Sequence, residues 1–296
     1  MKNKLHHNAQ KLAAFLAFAL AVAVTVIIAS TAHAQVTLTG DGNYSQPFTP
    51  GEKGVNMLDT DITSPGYHTW TDNSSIAGWY AVVNGGTPAQ YRSTTMGVTP
   101  TDVIYAARAK GPGFAFVSAR SSTNTGFTAF GVRIANNTGK TITELAVSYL
   151  GQQWVWTNGG ADALTFQYSL DATSLTTGTW TTVDALTFNS PLYSAVNGSG
   201  NTTSLVTNGA LPPEMSTTLS SSITGLTLAS GATIWFRWVD VNNTGVDQVL
   251  GIDDVSITST FAAAPNVPEP SAWVPVAALT ALALAGLRRW RGTGQS

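Results

Sequence analysis

Acidic residues near the C-terminal end of the chain are the first that could do chemistry. Asp240, Asn242 and Thr244, followed by Gly245, open like the first half of a calcium loop. Oxygen ligands at alternate positions are what a hard cation requires. The twelfth position is Gly251, where a full calcium loop carries a bidentate acid. Asp240, Asn242, Asp247 and Asp253 could still gather around one calcium ion at a sheet edge, while ordinary turn hydrogen bonding accounts for the same residue types. If Val255 and Ile257 face a core, alternation turns Asp253 inward with them, and a buried carboxylate wants a cation or several donors.

Hydrolytic chemistry finds less support. His6, His7 and His33 lie in the N-terminal segment, which leaves His68, in SPGYHTW, as the one histidine of the rest of the chain. A histidine metal cluster is thereby excluded, and a serine–histidine–aspartate triad would have to use His68, which reads as a turn residue. Glycoside hydrolysis needs only two carboxylates. Glu52, Glu144 and Glu214 stand in different settings, and Asp253 and Asp254 are adjacent, so on a strand they point to opposite faces. No catalytic set emerges, and a glycoside hydrolase is the third-ranked reading.

Aromatic residues are the third resource, with nine tryptophans in the chain. Trp154 and Trp156 share a face of their strand at i, i+2 spacing, about 7 Å apart. If exposed, they form a platform on which successive sugars stack, with Gln152, Gln153 and Asn158 beside them as hydrogen-bonding groups. Core packing is the competing reading of the same pair. Trp235 and Trp238 fall on opposite faces, so one of them must point inward.

Strands must position these groups. Turn-bounded runs predict strands at Trp79–Val83, Val103–Ala109, Phe114–Arg120, Phe127–Ala135, Ile142–Trp156, Ala163–Leu170, Thr179–Val183, Ser216–Leu226, Ala232–Val241 and Val249–Thr258. The class is all-β, a two-sheet sandwich. Phe130, Val132 and Ile134 share one face, as do Leu145, Val147 and Tyr149. Two Asn-Asn-Thr-Gly tetrapeptides, at 136–139 and 242–245, each join two strands and predict a pair of hairpins. Residues 35–78 and 189–215 are Gly-, Thr- and Pro-rich with little alternation and read as long loops. Six Asn-x-Ser/Thr triplets fall among these turns.

The two ends carry targeting signals. Lys2, Lys4 and Lys11, an apolar run from Leu12 to Ile28 and Ala32-His33-Ala34 form a secretory signal peptide over 1–34, cut by signal peptidase before Gln35. Residues 271–287 carry no charge and span about 25 Å as a helix, enough to enter a membrane with Trp273 and Trp290 as anchors. Arg288 and Arg289 begin a basic tail, 288–296, that stays cytoplasmic and leaves the bulk of the chain outside. Between the two signals, from Gln35 to Asn266, 8 basic and 15 acidic residues give a formal charge of −7, which argues against nucleic acid as a partner. Cysteine is absent, so an exported domain relies on its core without disulfides.

Val267-Pro268-Glu269-Pro270, the apolar helix and Arg288-Arg289 together resemble the PEP-CTERM sorting signal of exported proteins of biofilm-forming Gram-negative bacteria, here over 261–296. The resemblance implies recognition by a membrane-embedded exosortase that removes the helix, so the protein is anchored in the inner membrane only transiently and then reaches the cell surface or the medium. Segments GWYAVVNGG, FQYSLDATSLTTGTWTTV and GIDDVSIT also resemble carbohydrate-binding jelly rolls, which implies a jelly-roll β-sandwich over 79–260. The expectation is a structural or adhesive matrix protein associated with exopolysaccharide or biofilm. The alternative is a carbohydrate-binding module that uses surface tryptophans.

Overall fold

The computed structural model describes residues 36–48, 66–88, 90–94, 103–108, 114–119, 127–193, 203–205, 211–241 and 247–263. The signal peptide, the sorting motif Val267 to Pro270, the helix 271–287 and Arg288 and Arg289 lie outside them. Among the described residues no helix is long and apolar enough to cross a membrane.

Two sheets build the fold. The first contains β1 (Val36–Leu38), β4 (Trp79–Val83), β8 (Phe127–Asn136), β10 (Ala163–Ser169), β11 (Thr181–Thr182), β12 (Phe188–Asn189) and β15 (Thr233–Val241). Its order runs β1-β8-β15-β10-β11, with β4 sharing the β1 side of β8 and β12 pairing with β10. The second contains β2 (Tyr44–Gln46), β3 (Gly66–Thr69), β5 (Gln90–Thr94), β6 (Val103–Arg108), β7 (Phe114–Ala119), β9 (Ile142–Trp156), β13 (Thr203–Ser204), β14 (Ser216–Ile223) and β16 (Val249–Phe261). Its order is β13-β9-β16-β7-β6-β5-β3, with β14 on β9 and β2 on β16.

Alternating apolar residues of both sheets meet in one core. Phe130, Val132 and Ile134 of β8, Phe166 of β10 and Phe236 and Trp238 of β15 face Leu145, Val147 and Tyr149 of β9 and Leu250, Ile252, Val255 and Ile257 of β16. Trp238 is its hub, stacked on Trp79 at 5.7 Å and edge-on to Tyr149 of the opposite sheet at 5.4 Å. The architecture is therefore an all-β sandwich.

Three expectations are corrected. The Asn-Asn-Thr-Gly segment at 136–139 closes no hairpin: β8 lies in the first sheet, whereas the strand that follows it, β9, lies in the second; the segment at 242–245 lies outside the described residues. The first segment is an arch between sheets. In the first, the buried Asn136 donates its amide to the carbonyls of Lys140 and Leu228, both at 2.8 Å, and Gly139 takes the left-handed turn at φ 77°. Secondly, the sandwich begins before Trp79. Val36–Leu38 runs parallel to Ile134–Asn136, Tyr44–Gln46 pairs with Val255–Ile257, and Gly66–Thr69 pairs with β5. Thirdly, Asp253 does not turn toward the core. A bulge between Asp253 and Ser256, with Asp254 at φ 48°, switches the inward set from Leu250 and Ile252 to Val255 and Ile257. Asp253 Oδ1 accepts the Asp254 N–H at 2.8 Å across that bulge.

Candidate functional site

The expected tryptophan platform is not an open surface. In β9 Tyr149 and Gly151 face inward; a Cβ on Gly151 would sit 2.5 Å from the Phe188 ring of the core. Trp154 lies on the face of Gln152, but it is 1% exposed and donates Nε1–H to Gln152 Oε1 at 3.2 Å, and the register of β9 on β16 is irregular here. The chain returns beside this end of β9, where Leu205 N–H donates to the Trp154 carbonyl and Thr203 pairs with Trp156. Two exposed stacking faces are therefore absent, and of the five residues assigned to the platform only Asn158 is exposed.

Gln152 and Gln153 are buried as well. Gln153 exchanges hydrogen bonds with the Leu192 backbone, Nε2 to oxygen and N–H to Oε1, both at 2.9 Å, and donates to Gln248 Oε1 at 3.1 Å. Gln248 in turn accepts Thr157 N–H at 2.9 Å and donates to the Gly160 carbonyl at 3.1 Å. These amides fasten the loops at one end of the sandwich, so they are structural groups and not sugar ligands.

Three of the four proposed calcium ligands are among the described residues, and all three are buried. Asp240 is buried on β15 of the first sheet, Asp247 is buried beside Gln248, and Asp253 lies on β16 of the second sheet with the bulge turning it from the core. Asn242 lies outside the described residues. Among the described residues no three histidine or acidic side chains come together in a way that could hold a metal ion.

What the structure does assemble is a groove on the outer face of the first sheet. Between β10 and β11 the chain folds back over this face. Ser169 Oγ donates to Asp171 Oδ1 at 2.8 Å and accepts Ala172 N–H at 3.0 Å, and Asp171 Oδ1 also accepts Thr179 N–H at 2.7 Å. The fold-back sets Leu175 and Ala172 against Val82 and Trp235. Gly131 allows this approach, since a Cβ there would lie 2.2 Å from the Phe236 carbonyl and 2.7 Å from Leu175 Cδ2. Arg237 secures the other side: its guanidinium donates to Gln167 Oε1 at 2.8 Å and to the Leu175 carbonyl, and covers the Trp180 ring at 3.9 Å.

A half-open depression of about 400 Å³ remains, lined by Arg133, Leu170, Asp171, Ala172, Thr173, Thr233 and Trp235. Trp235 forms its floor, nearly buried, with Tyr80 tilted against it at 4.7 Å. Arg133 stands opposite Trp235 in the β8–β15 register, with its charge near the Tyr80 hydroxyl. Burial raises the Tyr80 phenol, against the pull of the Arg133 charge. The backbone N–H of Thr179 and the Ser169 hydroxyl lower the Asp171 carboxyl, so it stays ionised at neutral pH and acts as an acceptor. The groove thus offers a fixed cationic donor, an anionic acceptor, two threonine hydroxyls and an apolar rim at the exposed Leu170.

Reasoning from sequence did not single out Arg133, Leu170, Thr173 or Thr233. A signal was present, because SLDATSLTTGTW carries Ser169, Asp171 and Trp180, the residues that shape the fold-back.

No family model matches the chain, and no curated protein matches it. Among solved structures it is similar to the K3 cleaved adhesin domain of Lys-gingipain from Porphyromonas gingivalis, at 11% identity over 62% of this chain and 93% of that one, with a TM-score of 0.35. It is also similar to a non-crystalline cellulose specific carbohydrate-binding module, at 12% identity over 62% and 89%, TM-score 0.31. A third likeness is to the enzymatically active domain of a bacteriophage CBA120 tailspike protein, at 10% identity over 55% of this chain and only 17% of the tailspike chain, TM-score 0.28. Likenesses at this level carry no statement about a ligand.

Proposed function

We propose that this is an exported adhesive protein whose jelly-roll-type sandwich holds neutral polysaccharide in the Arg133–Asp171 groove without cleaving it. The observation that carries the reading is the pairing of Arg133 and Asp171 in one depression over Trp235. A neutral sugar presents hydroxyls that both accept and donate, so a guanidinium and a carboxylate in one groove satisfy it together. A polyuronate would set its carboxylates against Asp171 and against a net acidic domain. Asp171 is held ionised, which suits an acceptor and not a general acid. Delivery follows from the signals at the two ends: export by the signal peptide, then exosortase removal of the helix after the Pro268-Glu269-Pro270 motif, before which the inner membrane is a transient anchor.

Affinity electrophoresis through neutral glucans, xylans and galactans, with alginate and polygalacturonate as acidic controls, tests the binding. Retention by a neutral polymer, lost about tenfold or more in Arg133→Met with its melting temperature kept, is the expected result. Equal retention of wild type and variant on every polymer would overturn the groove as the site. Intact mass of the exported product should end near Pro270; recovery of product ending at Ser296 would refute the processing.

A further inference from the structure

We infer that the free edge of β14 is a self-association surface on which a second copy of this chain adds, antiparallel, to extend the second sheet. β14 pairs with β9 over eight consecutive residues, Ser216 with Gln152 through Ile223 with Leu145, without a bulge. Among the described residues no strand pairs with its other side. Every second residue of such an edge turns its backbone N–H and C=O outward, unpaired.

Most edges in this fold are blunted by their shortness: β1 has three residues, β11, β12 and β13 two each, and β3 four. The short turn Asp184–Leu186 packs near β14, but the strand itself carries none of the sequence devices that keep edges apart. Its sequence, STTLSSSI, contains no charge and no proline, and the register is unbroken.

Charge and symmetry choose the occupant. A chain carrying −7 over its exported part repels its own copies over most of its surface, and this strand is a stretch where two copies meet without like charges facing each other. Pairing about a two-fold axis at Leu219 sets Ser216 opposite Ser222, Thr217 opposite Ser221 and Thr218 opposite Ser220. Ser216 with Ser222 and Thr218 with Ser220 set hydroxyl against hydroxyl on the outer face, while Thr217 with Ser221 and Leu219 with its own copy meet on the other. The contact uses the same strand on both partners, so it closes as a dimer.

Sedimentation equilibrium of the exported product over about a hundredfold range of concentration reads the association. The wild type should move from monomer to dimer. The double variant Thr218→Lys, Ser220→Lys faces lysine with lysine twice across the axis and should remain monomeric. The double variant Thr218→Lys, Ser220→Glu faces lysine with glutamate and should dimerise again. Both substituted side chains are exposed, and circular dichroism melts confirm that the fold is kept. A wild type that stays monomeric throughout, a lysine pair that still dimerises, or a lysine–glutamate variant that is folded and monomeric would each overturn the inference.

Discussion

Replacing Trp154 with alanine separates a structural tryptophan from a ligand platform. The ring is 1% exposed, and burying an aromatic side chain of this size removes roughly 150–250 Å² from water. Large-to-small changes of this kind cost about 3–5 kcal/mol, because the transfer free energy is lost and a cavity is left. The substitution also deprives the buried Gln152 Oε1 of the indole N–H at 3.2 Å, which adds about 1 kcal/mol. For a domain of this size each kcal/mol moves the melting temperature by about 2–4 °C, so a fall of about 8–24 °C is expected. Thermal melts followed by far-ultraviolet circular dichroism measure it, with urea unfolding to check that the m-value is unchanged. A fall below about 3 °C, with retention on polysaccharide lost, would refute the reasoning and return Trp154 to the surface.

Tyr44, which accepts the Trp79 indole N–H at 2.9 Å, has its phenol pushed up by burial to about 12 from 10.0. Between those values the unfolded chain holds fewer protons than the folded one, so the contribution is fully present below pH 10 and is lost as pH rises toward 12, by about 2–3 kcal/mol in all. Denaturant titrations at pH 9 to 12 should show that decline, and a Tyr44→Phe variant whose stability falls just as steeply would contradict the assignment. Gly131→Ala should destabilise by about 1–3 kcal/mol and weaken polysaccharide retention together, because its Cβ meets the Phe236 carbonyl and Leu175; a variant with wild-type melt and retention would refute the packing of the fold-back.

The long strands were legible because their apolar alternation is long enough to exceed local noise. Ile142–Trp156 agrees at both ends, and Phe127–Asn136, Ala163–Ser169 and Thr233–Val241 agree within one residue; the five-residue Trp79–Val83 was legible from its aromatic and β-branched residues and not from a period. β1, β2, β3, β5, β12 and β13 span two to five residues, too few for a period to show, and they form because a longer strand offers them an edge. The arch at 136–139 was misread for a different reason. Asn-Asn-Thr-Gly specifies a reversal of the chain but not which sheet receives the next strand. That choice rests with the buried Asn136 amide, whose partner Leu228 is 92 residues away in sequence.

The groove was half legible, since an alternation rule gives the face of a residue but not what covers it. Trp235 and Trp238 were read on opposite faces, and Trp238 enters the core, yet Trp235 is equally hidden. It is hidden because Gly131 lacks a side chain and so admits Leu175, and because Arg237 and Asp171 hold the fold-back in place. The same contacts that remove Trp235 from water leave the depression between Arg133 and Asp171 open at its edge. Binding and stability on this face therefore share residues. Arg133 lines the depression without fastening the fold-back over Gly131, as Arg237 does, so changes to it alter retention with little effect on the melt, whereas changes to Gly131 or Arg237 alter both.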